Sequence, residues 1–165
     1  MWKKIVVIVA MLAIVGFSFA LLLKSKTNTA VNEQTTDSEP VKEVLPATVY
    51  NLAAENISEE CKESNEQLCA VEYTIKCTLN PDLAVCKKME LPSFIFMKDP
   101  SVERPTEMNF RFIDKKVLLN NTTEIYTEST CNGGWFGLCQ GTVIYVLAPS
   151  DGEYKWQVKD IYAIE

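Results

Sequence analysis

AVEYTIKCTL, residues 70–79, is the stretch whose period settles how the first half of this chain folds. Val71, Tyr73, Ile75, Cys77 and Leu79 alternate with Glu72, Thr74, Lys76 and Thr78, and such an alternation, rich in β-branched and aromatic residues, predicts a strand. Its neighbours look helical, which keeps a helix open as the other reading. Upstream, TVYNLAAEN (48–56) puts Val49, Leu52 and Ala53 at helical spacing, and Ser58 is placed to cap a second helix with Glu59, Glu60 and Glu63 in its early turns. Downstream, Asn80-Pro81-Asp82 supplies a cap, a proline at the first helical position and a first-turn acid, predicting a short helix from Pro81 to Met89. After Pro92 the pattern turns to β, with candidate strands at Ser93–Met97, Met108–Ile113, Lys116–Ser129, Thr142–Ala148 and Tyr154–Ile164. Asp114-Lys115 and Ser150-Asp151-Gly152 are the polar breaks that hairpin connections require. Helices first and an antiparallel meander afterwards make the fold class α+β, with helices packed on one face of a curved sheet.

The N-terminal segment has a different character. Ile5 to Leu23 (IVVIVAMLAIVGFSFALLL) carries no charge over 19 positions. As a helix it would be about 29 Å long, the thickness of a bilayer's hydrocarbon core. The expectation is a transmembrane helix over 5–23 behind a cytoplasmic tail of residues 1–4, with a cleaved signal peptide as the alternative. Ser18-Phe19-Ala20 resembles a small-x-small cleavage site, but Leu21, Leu22 and Leu23 continue the apolar run beyond it. Lys3 and Lys4 lean towards a cytoplasmic N-terminus. Residues 24–46 are polar and acidic, without an aromatic residue and with Pro40 and Pro46, and read as a flexible linker before a domain over 47–165.

Cysteine usage supports the same orientation. Cys61, Cys69, Cys77, Cys86, Cys131 and Cys139 all lie beyond the apolar run, an even number in a short span, as a disulfide framework in a periplasmic or extracellular compartment would have. Their spacing is not that of zinc knuckles, and no CxxC redox pair is present. Pairing Cys131 with Cys139 would staple the end of a hairpin, worth about 2.5 kcal/mol on chain-entropy grounds. The other four allow three pairings. Cys61–Cys86 enclosing Cys69–Cys77 is one of them.

The ending DGEYKWQVKDIYAIE, residues 151–165, together with the order of elements, resembles the nuclear-transport-factor-2-like superfamily of cone-shaped α+β folds. Members often finish on a strand pair of the form acidic-Gly, aromatic, Lys, Trp, Val, Asp, Ile. Here Gly152, Trp156, Val158, Asp160 and Ile161 stand in those places. The resemblance implies that the concave sheet face forms a pocket or a partner surface, since the fold serves enzymes and non-catalytic adaptors alike. A fold so widely shared assigns no activity.

Chemistry is constrained first by what is missing. The chain has no histidine, which excludes Ser-His-Asp and Cys-His catalysis and removes the commonest transition-metal ligand; no catalytic, metal or cofactor site is expected. Glu59-Glu60-Cys61-Lys62-Glu63 reads as a solvated helix face. Beyond Lys26 there are 12 basic and 22 acidic residues, a net charge of −10 that excludes a nucleic-acid footprint. Within the stapled loop, Trp135, Phe136 and Leu138 either fold back to close one end of the core or serve as aromatic anchors for a partner. Trp156 and Asp160 share a face by alternation and are the candidate pocket residues, although Asp160, near the strand end, is better placed in water. Asn56, Asn120 and Asn121 head glycosylation patterns that matter only in a eukaryotic secretory pathway.

The functional expectation is a membrane-anchored extracytoplasmic module that binds or scaffolds other proteins. A short tail, one span and a cone-fold domain outside also resembles, in layout, the bitopic assembly factors of bacterial type IV secretion machines. A cone holding a small apolar ligand is the alternative, and an enzyme using carboxylate or tyrosine chemistry comes third. A deep cavity with a buried ionisable group would favour a pocket, whereas a filled interior with an exposed apolar patch would favour a scaffold.

Overall fold

Asn65 decides what AVEYTIKCTL becomes. Its side-chain oxygen accepts hydrogen bonds from the backbone N–H groups of Gln67 (2.9 Å) and Leu68 (3.3 Å), launching helix α1 over Glu66–Leu79. The computed structural model describes residues 43–98, 101, 103–133 and 138–164. The expected tail, the apolar run and most of the linker therefore lie outside the described residues, as do Trp135 and Phe136. Among the described residues, no helix is long and apolar enough to cross a membrane.

The strand expected at 70–79 is thus a helix, and the reason lies in what surrounds it. From Ala70 to Leu79 every α1 residue except Tyr73 is buried, so no polar stripe marks its solvent side. Its polar residues are satisfied internally. Thr74 and Thr78 hydroxyls donate to the carbonyls of Ala70 (2.7 Å) and Thr74 (3.0 Å), one helical turn back. Glu72 and Lys76 form a fully buried ion pair at 2.7 Å. Lys76 also donates to the carbonyl of Glu60 (2.5 Å), while Glu72 accepts from the backbone N–H of Lys62 (3.2 Å) and the Tyr73 hydroxyl accepts from that of Cys61 (3.1 Å). The segment around Cys61 is therefore stitched onto the helix as a loop. It is not the Ser58-capped helix of the sequence reading, and Glu59 to Glu63 is not a helix face.

Around α1 runs a five-stranded antiparallel sheet in the order β1-β2-β3-β4-β5, with β1 at Tyr50–Ala53, β2 at Glu107–Val117, β3 at Thr123–Cys131, β4 at Gln140–Pro149 and β5 at Trp156–Ile164. TVYNLAAEN supplies β1 and a single 3-10 turn, not a helix. Pairing of Tyr50 with Phe110 and of Leu52 with Met108 puts apolar side chains on the inner face, where tertiary packing overrides the helical spacing. Pro81 to Met89 holds only the 3-10 turn Ala84–Lys87, and Ser93–Phe96 is another 3-10 turn in place of the expected strand. The Arg104 guanidinium pins this region, donating to the carbonyls of Thr78 (2.6 Å), Ile95 (2.8 Å) and Met97 (3.2 Å).

The three C-terminal strands match the reading most closely. The first hairpin does not turn at Asp114-Lys115. There β2 takes a bulge, with Ile113 as the extra residue between Phe112 and Asp114, and continues to Val117. The turn comes at Leu118 to Thr122, so the strand expected at Lys116–Ser129 is divided between the end of β2, this turn and β3. Here Asn120 and Asn121 adopt positive φ (62° and 60°) that asparagine tolerates better than most residues. One face of the sheet, with Met108, Phe110, Phe112, Ile125, Val143, Tyr145 and Leu147, packs against Val71, Ile75 and their neighbours to form a continuous core.

Three disulfides join sequence neighbours: Cys61–Cys69, Cys77–Cys86 and Cys131–Cys139. The hairpin staple is as expected, but the nested pairing is replaced by a sequential one. With 69–79 helical, Cys69 and Cys77 lie two turns apart on one rod, about 12 Å, beyond the reach of a disulfide. Each instead ties α1 to a flanking loop. Three disulfides are what an oxidising, extracytoplasmic compartment sustains.

Candidate functional site

The two residues expected to share a pocket are separated by a bulge. In the pairing of β4 with β5, Val146 faces Asp160 and Leu147 faces Val158, so Lys159 is an extra residue. A one-residue insertion flips the side-chain parity beyond it. Trp156 and Val158 stay on the inner side, while Asp160 turns out to water, its carboxylate accepting from the backbone N–H of Ile161 (2.8 Å).

Trp156 lines a groove of about 260 Å³ with Cys69, Ala70, Tyr73 and Tyr154. Helix α1 presents Cys69 and Tyr73, and the turn before β5 presents Tyr154, whose ring meets Tyr73 edge-on at 5.6 Å. Two ion pairs frame it, Lys155 with Glu66 (2.6 Å) and Lys88 with Glu153 (2.9 Å). Burial, then the neighbouring Tyr73, raises the Tyr154 phenol above its ordinary value. The groove thus offers an aromatic wall with a charged rim.

The outer face of the sheet carries a second cluster that the sequence reading missed. Register brings Tyr126, Ile144 and Tyr162 side by side across three strands. The Glu124 carboxylate bridges the two phenols, accepting from Tyr126 (2.7 Å) and Tyr162 (2.9 Å). Lys116 donates to the Tyr126 hydroxyl (2.9 Å) and stands 4.4 Å above its ring. Beneath these groups Ile144 is only 2% exposed although it lies on the face away from α1. Around them Ile113, Tyr162 and Ile164 are exposed. The hydrogen bond from Tyr126, then that from Tyr162, holds the Glu124 carboxyl below the usual carboxylate range. Burial and Glu124 push the Tyr162 phenol up to about 12, so it remains a neutral donor. Glu124 and Tyr126 sit two apart on the polar side of a strand, an ordinary surface pattern. Only the register with Tyr162, two strands away, turns them into a cluster.

Leu138, one of the three expected anchors, is buried with Cys139 in the core. It closes the hairpin end and is not displayed. Inside the sheet, Tyr145 is fully enclosed beside Thr127, and burial raises its phenol. Thr127 in turn donates to the Val143 carbonyl (3.2 Å). Among the described residues, no group of three or more His, Cys, Asp or Glu side chains is arranged to hold a metal ion. No known protein family, curated protein or solved structure matches this chain.

Proposed function

We propose that this chain is a membrane-anchored extracytoplasmic module that binds another protein through the outer face of its sheet. The observation that carries the reading is the contrast between the two faces. The inner face is filled by α1 and its own side chains, down to an internally paired Glu72 and Lys76, whereas the outer face leaves Ile113, Tyr162 and Ile164 exposed around a tyrosine cluster. A sheet face with no covering layer ordinarily alternates to polar residues. Tyrosines flanked by aliphatic side chains are typical of protein-binding patches. The N-terminal apolar run and the disulfides support a single span with the domain outside, in the layout of a secretion or envelope assembly factor. The cone-fold relationship is proposed on the same terms, supported by a helix that precedes the β2–β5 meander and by the residues of the last strand pair.

A photocrosslinking phenylalanine analogue in place of Ile164, introduced in the full chain in intact cells, tests this. A discrete protein adduct that disappears when Tyr162→Asp is added is the expected result. No protein adduct at Ile164 under conditions that keep the membrane intact would overturn it. The groove beside Trp156 favours a second reading, a small apolar ligand held between Tyr73, Tyr154 and Trp156. Organic extraction of the purified chain followed by mass spectrometry distinguishes it, because only that reading predicts a stoichiometric small molecule.

A further inference from the structure

The β2–β3 hairpin ends in an apolar tip with no covering element among the described residues. Val117 is 73% and Leu119 87% exposed, with Leu118 between them also exposed, in the sequence Lys115-Lys116-Val117-Leu118-Leu119. Three consecutive exposed aliphatic residues on a turn are poor choices for a tip surrounded by water. The turn, which also carries the exposed Asn120 and Asn121, pairs part of its own backbone. The Leu118 N–H donates to the Thr122 carbonyl (2.8 Å) and the Thr122 N–H to that of Leu119 (3.4 Å), so the turn satisfies these groups with its own backbone. Satisfied backbone groups are the condition for entering a lipid phase.

The place where the chain enters the domain says what the tip meets. Glu43, the first described residue, forms an ion pair with Lys115, two residues before Val117, and accepts from the Asn65 side chain at the start of α1 (2.5 Å). Val44 follows it and is 92% exposed. Glu43 therefore lies towards the hairpin tip, at the end of the sheet opposite Glu107 and Cys131. The linker expected over 24–46, at about 20 flexible residues, would have a root-mean-square span near 25 Å. A domain held that close meets the bilayer at an effective concentration of order millimolar, so a small apolar contact suffices where a free domain would not bind.

We propose that the Val117-Leu118-Leu119 tip docks into the lipid interface of the membrane in which this chain is anchored, with Lys115 and Lys116 at headgroup level. The contact is chiefly apolar, since the extracytoplasmic part is acidic and anionic lipid repels it. Docking at this tip stands β2 and β3 upright on the bilayer and leaves the outer sheet face free to the side. The inference rests on the reading of Ile5 to Leu23 as a retained span.

The test places the photocrosslinking phenylalanine analogue at Leu119, and separately at exposed Thr130 towards the opposite end of the sheet, in the full chain in its own membranes. A phospholipid adduct at Leu119 at least about tenfold stronger than at Thr130, in a chain that resists carbonate extraction, is the expected result. Resistance to extraction with a protein adduct, or no lipid adduct, at Leu119 overturns the docking while leaving the anchor intact. Release by carbonate removes the anchor and the docking with it.

Discussion

Val71 to Leu79 and Thr123 to Cys131 both alternate apolar or small residues with polar ones, yet the first is a helix and the second a strand. In β3 the alternation reports solvent. Ile125, Thr127 and Ser129 are buried while Glu124, Tyr126, Glu128 and Thr130 face outwards to varying degrees. In α1 it reports nothing, because helix, sheet and flanking loops enclose both sets of residues, and Glu72, Thr74, Lys76 and Thr78 find partners inside. A period of two marks a strand only where one of its faces is wet. Where polar groups are paired in the interior, the pattern loses its meaning, and the cap at Asn65 is the better guide.

The largest expected effect comes from breaking the internal pairing that makes α1 possible. Lys76→Met leaves the Glu72 carboxylate buried without its partner and should cost about 3–5 kcal/mol of unfolding free energy in urea. The double variant Glu72→Met with Lys76→Met should recover most of that loss, because apolar residues of similar volume replace buried ion pairs at little or no cost. If the single and double variants are equally destabilised, the ion pair is not what distinguishes this helix from a strand.

A smaller effect sharpens the same comparison at the helix start. Asn65→Ala removes the acceptor for the Gln67 and Leu68 N–H groups and should cost about 1 kcal/mol, whereas Asn65→Asp should restore the cap. Fraying confined to the first turn, seen as faster amide exchange near Gln67 with β3 unaffected, is the accompanying sign.

The smallest effect belongs to the outer face, where water screens the charges. Glu124 has a native pKa below its unfolded one, so its contribution is present above the ordinary carboxylate range and is lost as pH falls through the lower native value. The melting temperature of Glu124→Gln should therefore approach that of the wild type in acid and fall slightly below it near neutrality. Tyr162 runs the other way. Its raised phenol contributes below the usual value near 10 and loses that contribution as pH rises through about 12, which an ultraviolet titration reads directly.

How much was legible follows from where water lies. The last two strands, and β3 from Thr123 onwards, were readable because each keeps one face partly wet, and the hairpin disulfide because its cysteines bracket a short glycine-rich stretch. The helical half was not readable, since burial on all sides erases periodicity, and Asn65 with its single first-turn acid Glu66 stood beside the stronger-looking pattern of Ser58 with Glu59, Glu60 and Glu63. Trp156 lines a groove, while Asp160 faces water and not the face of Trp156, because of a bulge at Lys159 that leaves no mark in the sequence. The Glu124, Tyr126 and Tyr162 cluster needed register across three strands, which no local pattern supplies.

The central claim is an extracytoplasmic domain whose enclosed helix is tied to its flanking loops by sequential disulfides. Non-reducing tryptic mapping of the chain taken from intact cells, with free thiols blocked at lysis, tests it most directly. Cleavage after Lys42, Lys62, Lys76 and Lys87 should yield peptide 43–62 joined to 63–76 and peptide 77–87 carrying an internal bond. Peptide 77–87 joined to both of the others would mean a nested or a crossed pairing and contradict the sequential one, and free thiols throughout would contradict the compartment.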